Sequence, residues 1–289
     1  MFNCARAHSI VEGHIGGGFI VTLPGSEKKL RYCGLLDTLR AACYPKYDFS
    51  RARSAAKIPK AQLLKTGLSR PWHGRQRGDL VHKQLRAAVN VGRDAIRGMY
   101  KRETPLVTQF LASLRAKRLE PVQSEFADYF EHLQLASAFD LLCTRVNLAT
   151  GREQLVIVEL KCGYDNGFRD GVGPLKNPPE LRHYNDSPLT QAYLQLAFYR
   201  LMVERHYPAV DIGPCYVAQV TNTKTVYYRL PDDIVNASNS LLSFVGAARQ
   251  HKQRARATTK AKKAAAKRAT AAGKRPKPRV SKASGSARR

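Results

Sequence analysis

An apolar run that ends in two charges constrains the fold of this chain more than any other feature. Leu155-Val-Ile-Val158 is typical of a strand buried on both faces of a sheet, and Glu159 and Lys161 follow it. Strand side chains alternate between faces, so we expect Glu159 and Lys161 to point one way and Leu160 the other. A carboxylate and an ammonium on one face, at the end of a central strand, indicate a site.

A second acid lies on the strand predicted before this one. Ser137–Val146 has the pattern of a strand and is followed by turn residues, so the two strands should form a hairpin. With a symmetric loop, Asp140 faces Glu159, with Cβ atoms about 5 Å apart, and the two carboxylates could share a metal ion. A loop with a bulge at Gly151 would instead place Asp140 opposite Leu160. The simpler interpretation is a surface aspartate beside an ordinary Glu–Lys ion pair.

Two motifs flank this acid pair in the sequence. Gly78-Asp-Leu-Val-His82 opens a segment with helical spacing of its apolar residues, which predicts a helix through Tyr100. A second predicted helix runs from Ser187 to His206 and begins with Ser-Pro, which is typical of helix starts. Three uncharged polar residues recur on it every four positions and share one face: Gln191, Gln195 and Tyr199.

Taken in order, these residues resemble the PD-(D/E)XK nuclease superfamily, and in particular its RecB-like and lambda-type exonuclease branch. Asp140 and Glu159-Leu-Lys161 resemble the superfamily's acid and Glu-X-Lys signature. Gly78–His82 resembles the Gly-X-X-X-His helix of the branch, and Gln195–Tyr199 its Gln-hydrophobic-X-X-Tyr motif. The resemblance covers residues 78–200, and it departs from the family in having a plain Asp in place of Pro-Asp.

The resemblance implies an α/β fold with a restriction-endonuclease-like core, in which helices flank a mixed sheet of about five strands. It implies a metal-dependent DNA nuclease, expected to be an exonuclease, that uses Mg²⁺ or Mn²⁺ in DNA processing, recombination or repair, viral genomes included. The implied catalytic residues are Asp140, Glu159 and Lys161. The implied metal ligands are His82, Asp140, Glu159 and the backbone carbonyl of Leu160. The implied substrate contacts are Gln191, Gln195, Tyr199 and Glu125.

Two other functions are compatible with the same residues. One is a catalytically inactive nuclease fold that binds or packages DNA, and the other is an RNA-directed nuclease. The presence together of Asp140, Glu159 and Lys161 argues against an inactive site. Lys161 would orient or deprotonate the attacking water, or offset charge on the scissile phosphate.

The charge of the chain predicts a polyanionic partner. The net charge is +27, and residues 249–289 hold 16 of the 49 Lys and Arg and none of the 22 acids. Such a surface favours nucleic acid, because neutralised phosphates release their counterions. The basic C-terminal segment lacks the apolar face of an interfacial helix, so no membrane partner is expected.

Composition also suggests an organisation into three parts. Residues 1–77 are expected to be an N-terminal extension with a basic arm, 78–248 the nuclease core, and 249–289 a disordered tail. The arm carries Trp72, which would stack on a base or belong to a solvated connector. The six cysteines have no zinc-ribbon spacing and no signal peptide is evident, so an intracellular, DNA-containing compartment such as the nucleus is expected.

Overall fold

The computed structural model describes residues 11–14, 18–22, 28–44, 71–100, 103–162, 167–171 and 173–272. The chain divides into two compact units, Met1–Ala248 and Arg249–Arg289. The predicted boundary after residue 77 therefore falls inside the first unit, and the boundary after residue 248 falls between the two. Most of the predicted basic arm, residues 45–70, lies outside the described residues.

The first unit is an α/β fold built on an open, mixed sheet. Within the described residues the sheet has eight strands, in the order β1-β2-β3-β5-β6-β7-β8, and β4 pairs with β5. The pairs β3–β5 and β6–β7 are parallel and the others antiparallel. The strands are β1 Val11–His14, β2 Gly18–Thr22, β3 Lys29–Gly34, β4 Glu120–Phe130, β5 Leu135–Val146, β6 Glu153–Cys162, β7 Tyr216–Val220 and β8 Thr225–Arg229.

The expectation of about five strands is too low. The N-terminal region adds β1, β2 and β3, and β3 joins the sheet by pairing Cys33 with Leu135 and Gly34 with Ala136 of β5. This addition was hard to foresee, because a parallel pairing depends on residues about 100 positions apart in the chain and not on a local turn.

Helices cover both faces of the sheet. Those of the described residues are α1 Leu35–Cys43, α2 Pro71–Asn90, α3 Asp94–Tyr100, α4 Pro105–Ala116, α5 Pro188–His206, α6 Asp232–Asn236 and α7 Ser238–Ala272. The single helix predicted over residues 78–100 is two helices, because Gly92 adopts a φ of 123° that ends α2. The prediction of a helix over 187–206 is confirmed.

The segment predicted to be a disordered tail, residues 249–289, includes a helical part in this structure. Residues 249–272 are helical as the continuation of α7, while residues 273–289 lie beyond the described part of the chain. Low apolar content argued for disorder, but Ala, Lys and Arg are also among the strongest helix formers. The local preference of these residues for the helix accounts for the observed structure.

Two apolar clusters, one on each face of the sheet, fix the orientation of β6. Ile157 packs in a first cluster with residues of α1 and α5, and Val156, Val158 and Leu160 pack in a second cluster with residues of α2 and α4. The central part of β6 is therefore buried on both faces, as the apolar run predicted. Glu159 is buried with it, at 1% exposure.

Candidate metal centre

Three acidic residues lie in a row across β4, β5 and β6. The pairing of β4 with β5 places Glu125 across from Asp140. The pairing of β5 with β6 ends at Leu141 and Val158, the residues next to Asp140 and Glu159. The symmetric hairpin loop predicted from the sequence is therefore confirmed, and the bulged alternative is excluded.

The strands are irregular at this row. Phe139 packs in the first apolar cluster and Leu141 in the second, so the alternation of β5 is interrupted at Asp140. Glu125 has a φ of 57°, a left-handed conformation that is unusual and costly for a residue other than glycine. Asn90 of α2 holds the irregular strand by bonding both the amide and the carbonyl of Ser124, at 2.8 and 2.9 Å.

His82 approaches the row from α2. Val81 and Leu85 of this helix are buried in the second apolar cluster, which leaves His82 half-buried beside the strands. The Nδ1 atom of His82 lies 3.4 Å from Glu125 Oε1 and 3.4 Å from Asp140 Oδ1. One ligand atom from each of the three residues lies within 4.8 Å of the others.

The charge of the two carboxylates acts on the imidazole. The Asp140 carboxylate, with a smaller contribution from Glu125, raises the pKa of His82 to about 9 in spite of burial. The two carboxylates therefore favour the protonated form of His82. A divalent cation would compensate the same charges and take the same three groups as ligands.

Glu159 and Lys161 contact each other as the strand alternation predicted. The ammonium of Lys161 donates a short hydrogen bond to Glu159 Oε1, while Glu159 Oε2 is buried and has no hydrogen-bond partner among the described residues. Burial, with a contribution from Asp140, raises the pKa of Glu159 to about 8 despite the neighbouring Lys161. Glu159, predicted as a metal ligand, lies next to Asp140 in register but outside the His82 group.

The backbone of β6 also orients Asp140. The amide of Leu160 donates a hydrogen bond to Asp140 Oδ2 at 2.7 Å. The Leu160 side chain packs in the second cluster, on the face opposite to Ile157, as predicted. The role of the Leu160 carbonyl as a ligand stays a prediction.

The polar residues of α5 are engaged within the protein. The Tyr199 hydroxyl donates to the carbonyl of Ala138 at 2.9 Å and accepts a short bond from the Gln195 amide. Tyr199 is fully buried and Gln195 is 9% exposed, so both position β5 near Asp140 in this structure instead of facing a substrate. Gln191 donates to Asp186 Oδ1 at 2.8 Å, and it contacts the segment that follows β6.

An open groove of about 400 Å³ leads to the His82 group. It is lined by Asp79, His82, Lys83, Arg86 and Glu125. The sequence predicts Glu125 as a substrate contact, and no motif in it predicts Lys83 or Arg86 at the site. The spacing of His82, Lys83 and Arg86 on α2 was the signal available, since residues four apart share a helix face.

Neither protein-family models nor curated proteins provide a relative of this chain. The chain matches no protein-family model and has no significant match among curated proteins. Within the described residues no helix combines the length and apolar character needed to cross a membrane. The resemblance to nucleases therefore depends on the residues themselves.

Replacing Tyr199 by Phe should destabilise the protein, because it leaves the Ala138 carbonyl and the Gln195 amide without their buried partner. We expect the free energy of unfolding to fall by about 1–3 kcal/mol, measured by urea denaturation. Tyr193→Phe on the same helix is the matched control, since the described residues show no hydrogen bond from its hydroxyl, and it should change stability by less than about 0.5 kcal/mol. Equal effects of the two substitutions would contradict the positioning role.

Proposed function

We propose that the chain is a metal-dependent nuclease that hydrolyses phosphodiester bonds in DNA, on a restriction-endonuclease-like core. One observation carries the proposal: the His82, Glu125 and Asp140 group opens into a groove that Lys83 and Arg86 also line. Two carboxylates and an imidazole suit a divalent cation, and nearby cations suit a phosphate. The two requirements of metal-dependent phosphodiester hydrolysis therefore meet in one place.

The donor set fits the expected cofactor. Two carboxylates provide the oxygen ligands that Mg²⁺ and Mn²⁺ prefer, and an imidazole favours Mn²⁺. Glu159 Oε2, in the same row, supplies a further buried oxygen, which has no hydrogen-bond donor among the described residues. His82, Glu125 and Asp140 would hold the ion, which when bound polarises a phosphate and lowers the pKa of a water.

The chain's own residues would then divide the remaining tasks. The Leu160 amide keeps the Asp140 carboxylate oriented, as the 2.7 Å hydrogen bond indicates. Glu159 holds the Lys161 ammonium next to the row, where a positive charge offsets the charge that develops on the phosphate. Lys83 and Arg86 would bind phosphate oxygens of the strand that enters the groove.

Metal binding is the first consequence to test. Glu125→Gln and Asp140→Asn each replace one charged ligand by a neutral amide of the same shape, so Mn²⁺ binding should weaken by about tenfold or more. Titration of the full chain followed by electron paramagnetic resonance measures free Mn²⁺ directly. Asp94→Asn, an exposed acid on α3, is the control and should leave binding unchanged. Unchanged Mn²⁺ binding in the Glu125 and Asp140 variants would show that these residues do not form a metal site.

Cleavage is the second consequence. End-labelled linear DNA should disappear with Mg²⁺ or Mn²⁺ and persist in EDTA, and Asp140→Ala and Lys161→Ala should abolish the loss. Survival of closed circular DNA would identify an exonuclease, and faster loss of a matched RNA strand would identify an RNA-directed enzyme. Tight DNA binding without cleavage under any metal would instead support an inactive DNA-binding protein.

The basic side chains of the groove give a third consequence. Arg86→Gln removes one cation that lines the groove, so KM for a single-stranded oligonucleotide should rise. The slope of log KM against the logarithm of the salt concentration should also fall by about 0.7. Arg97→Gln on α3 removes the same charge from an exposed position outside the groove and should leave KM unchanged. Mn²⁺ affinity should be equal in both variants, which separates substrate binding from metal binding.

A further inference from the structure

A second recess lies at the opposite end of β5 from the candidate metal centre. It has a volume of about 280 Å³, and its charged lining consists of Lys117, Arg118 and Arg145. The remaining lining residues, 146–149, belong to the end of β5 and the hairpin turn between β5 and β6. Among the described residues, all the charged side chains that line the recess are therefore basic, whereas the groove at the metal centre mixes bases with Asp79 and Glu125.

Two of the three cations are held in place by neighbouring side chains. The Lys117 ammonium lies 4.8 Å from the centroid of the Tyr227 ring and 5.4 Å from that of Tyr216, within range of cation–π attraction. The Arg145 guanidinium donates to Gln154 Oε1 at 3.0 and 3.2 Å, and Gln154 in turn donates to Asp211 at 3.2 Å. These contacts reduce the entropy lost when an anion binds.

The third cation occupies a costly backbone position. Arg118 has a φ of 57° in the turn between α4 and β4, where glycine or asparagine would be accommodated more easily. Its amide is fixed by the carbonyl of Arg115 at 2.9 Å, and the next amide by that of Leu114 at 3.0 Å. The turn thus directs a third positive charge to the recess at a local cost in free energy.

The spacing between the recess and the metal centre suits a duplex. Asp140 and Arg145 are five residues apart on β5, which corresponds to about 17 Å at the rise of a strand. A DNA duplex advances about 3.4 Å per base pair, so the two sites are separated by about five base pairs along its axis.

We propose that this recess binds phosphate groups of a nucleic-acid duplex, about five base pairs from the metal centre. The choice of nucleic acid as the ligand rests on the proposed function, whereas the recess is a site separate from the metal centre. Val146 and Leu148 on the hairpin are exposed at 59% and 79% and would contact sugars or the floor of a groove. The net charge of +11 on residues 1–248 favours the same partner.

The test compares two pairs of charge-removing substitutions in the full chain. Lys117→Met keeps the apolar stem against the tyrosine rings, and Arg118→Asn suits the left-handed backbone, so this double variant removes two charges from the recess with little strain. The control double variant, Arg97→Gln with Arg115→Gln, removes two exposed charges from α3 and α4 outside the recess. Binding to a duplex of 24 base pairs is measured in EDTA by fluorescence anisotropy over a range of salt concentrations.

The recess variant should bind the 24-base-pair duplex about tenfold more weakly, and its salt dependence should be shallower by about 2, since each lost phosphate contact contributes about 0.9. An equal loss in the control variant would overturn the proposal, because net charge alone would explain it. Loss of binding to phosphatidylserine vesicles with unchanged duplex binding would also overturn it in favour of a membrane surface.

Failure of this inference is distinguishable from failure of the proposed function. If the wild type cleaves DNA and the recess variant binds the 24-base-pair duplex as tightly as the wild type does, only the proposed role of the recess is refuted. If the wild type binds the duplex but does not cleave it with any metal ion, the nuclease proposal is refuted. Weaker binding of the recess variant would then still support phosphate binding by the recess. Arg118→Gly serves as a second variant, since it removes the charge and relieves the backbone strain, and it should weaken binding as Arg118→Asn does.

Discussion

The hydrogen bond from the Leu160 amide to the Asp140 carboxylate is the constraint on which the candidate site depends. Backbone pairing of β5 with β6 ends at Leu141 and Val158, and the alternation of β5 is interrupted one residue earlier. A buried amide left without an acceptor costs about 1–3 kcal/mol, and the Asp140 side chain supplies that acceptor. The carboxylate is thereby held at the point where the two strands separate.

Helices on both faces reinforce this point. On one face, Asn90 of α2 bonds the backbone of Ser124 beside Glu125, and the same helix brings His82 to the row. On the other face, Tyr199 of α5 bonds the carbonyl of Ala138, two residues before Asp140. The row of acids is thus fixed from both sides of the sheet, which is the preorganisation that a metal site requires.

The parts of this arrangement that follow from local pattern could be predicted from the sequence. The alternation of β6 predicts that Glu159 and Leu160 lie on opposite faces of the sheet. The symmetric hairpin predicts the register that brings Asp140 close to them. The position of Glu125 beside His82 and Asp140 depends on a positive φ that an acidic residue rarely adopts, and no local pattern in the sequence indicates that backbone conformation. The burial of Tyr199 could not be predicted either, since a periodic polar face does not reveal whether the strand beneath offers a carbonyl.

The energetics of Glu159 argue that the site is more than a structural ion pair. A carboxylate at 1% exposure is costly when one of its oxygens has no partner in the described part of the chain, and an ion pair with Lys161 alone rarely offsets the desolvation of both charges. Asp140 lies next to it in register and adds a like charge. A fold that needed only stability would place apolar residues at such positions, and local rules are broken most often where a chain carries a function. A divalent cation bound beside this row would favour the ionised form of Glu159, and the proposed metal-dependent activity predicts that coupling.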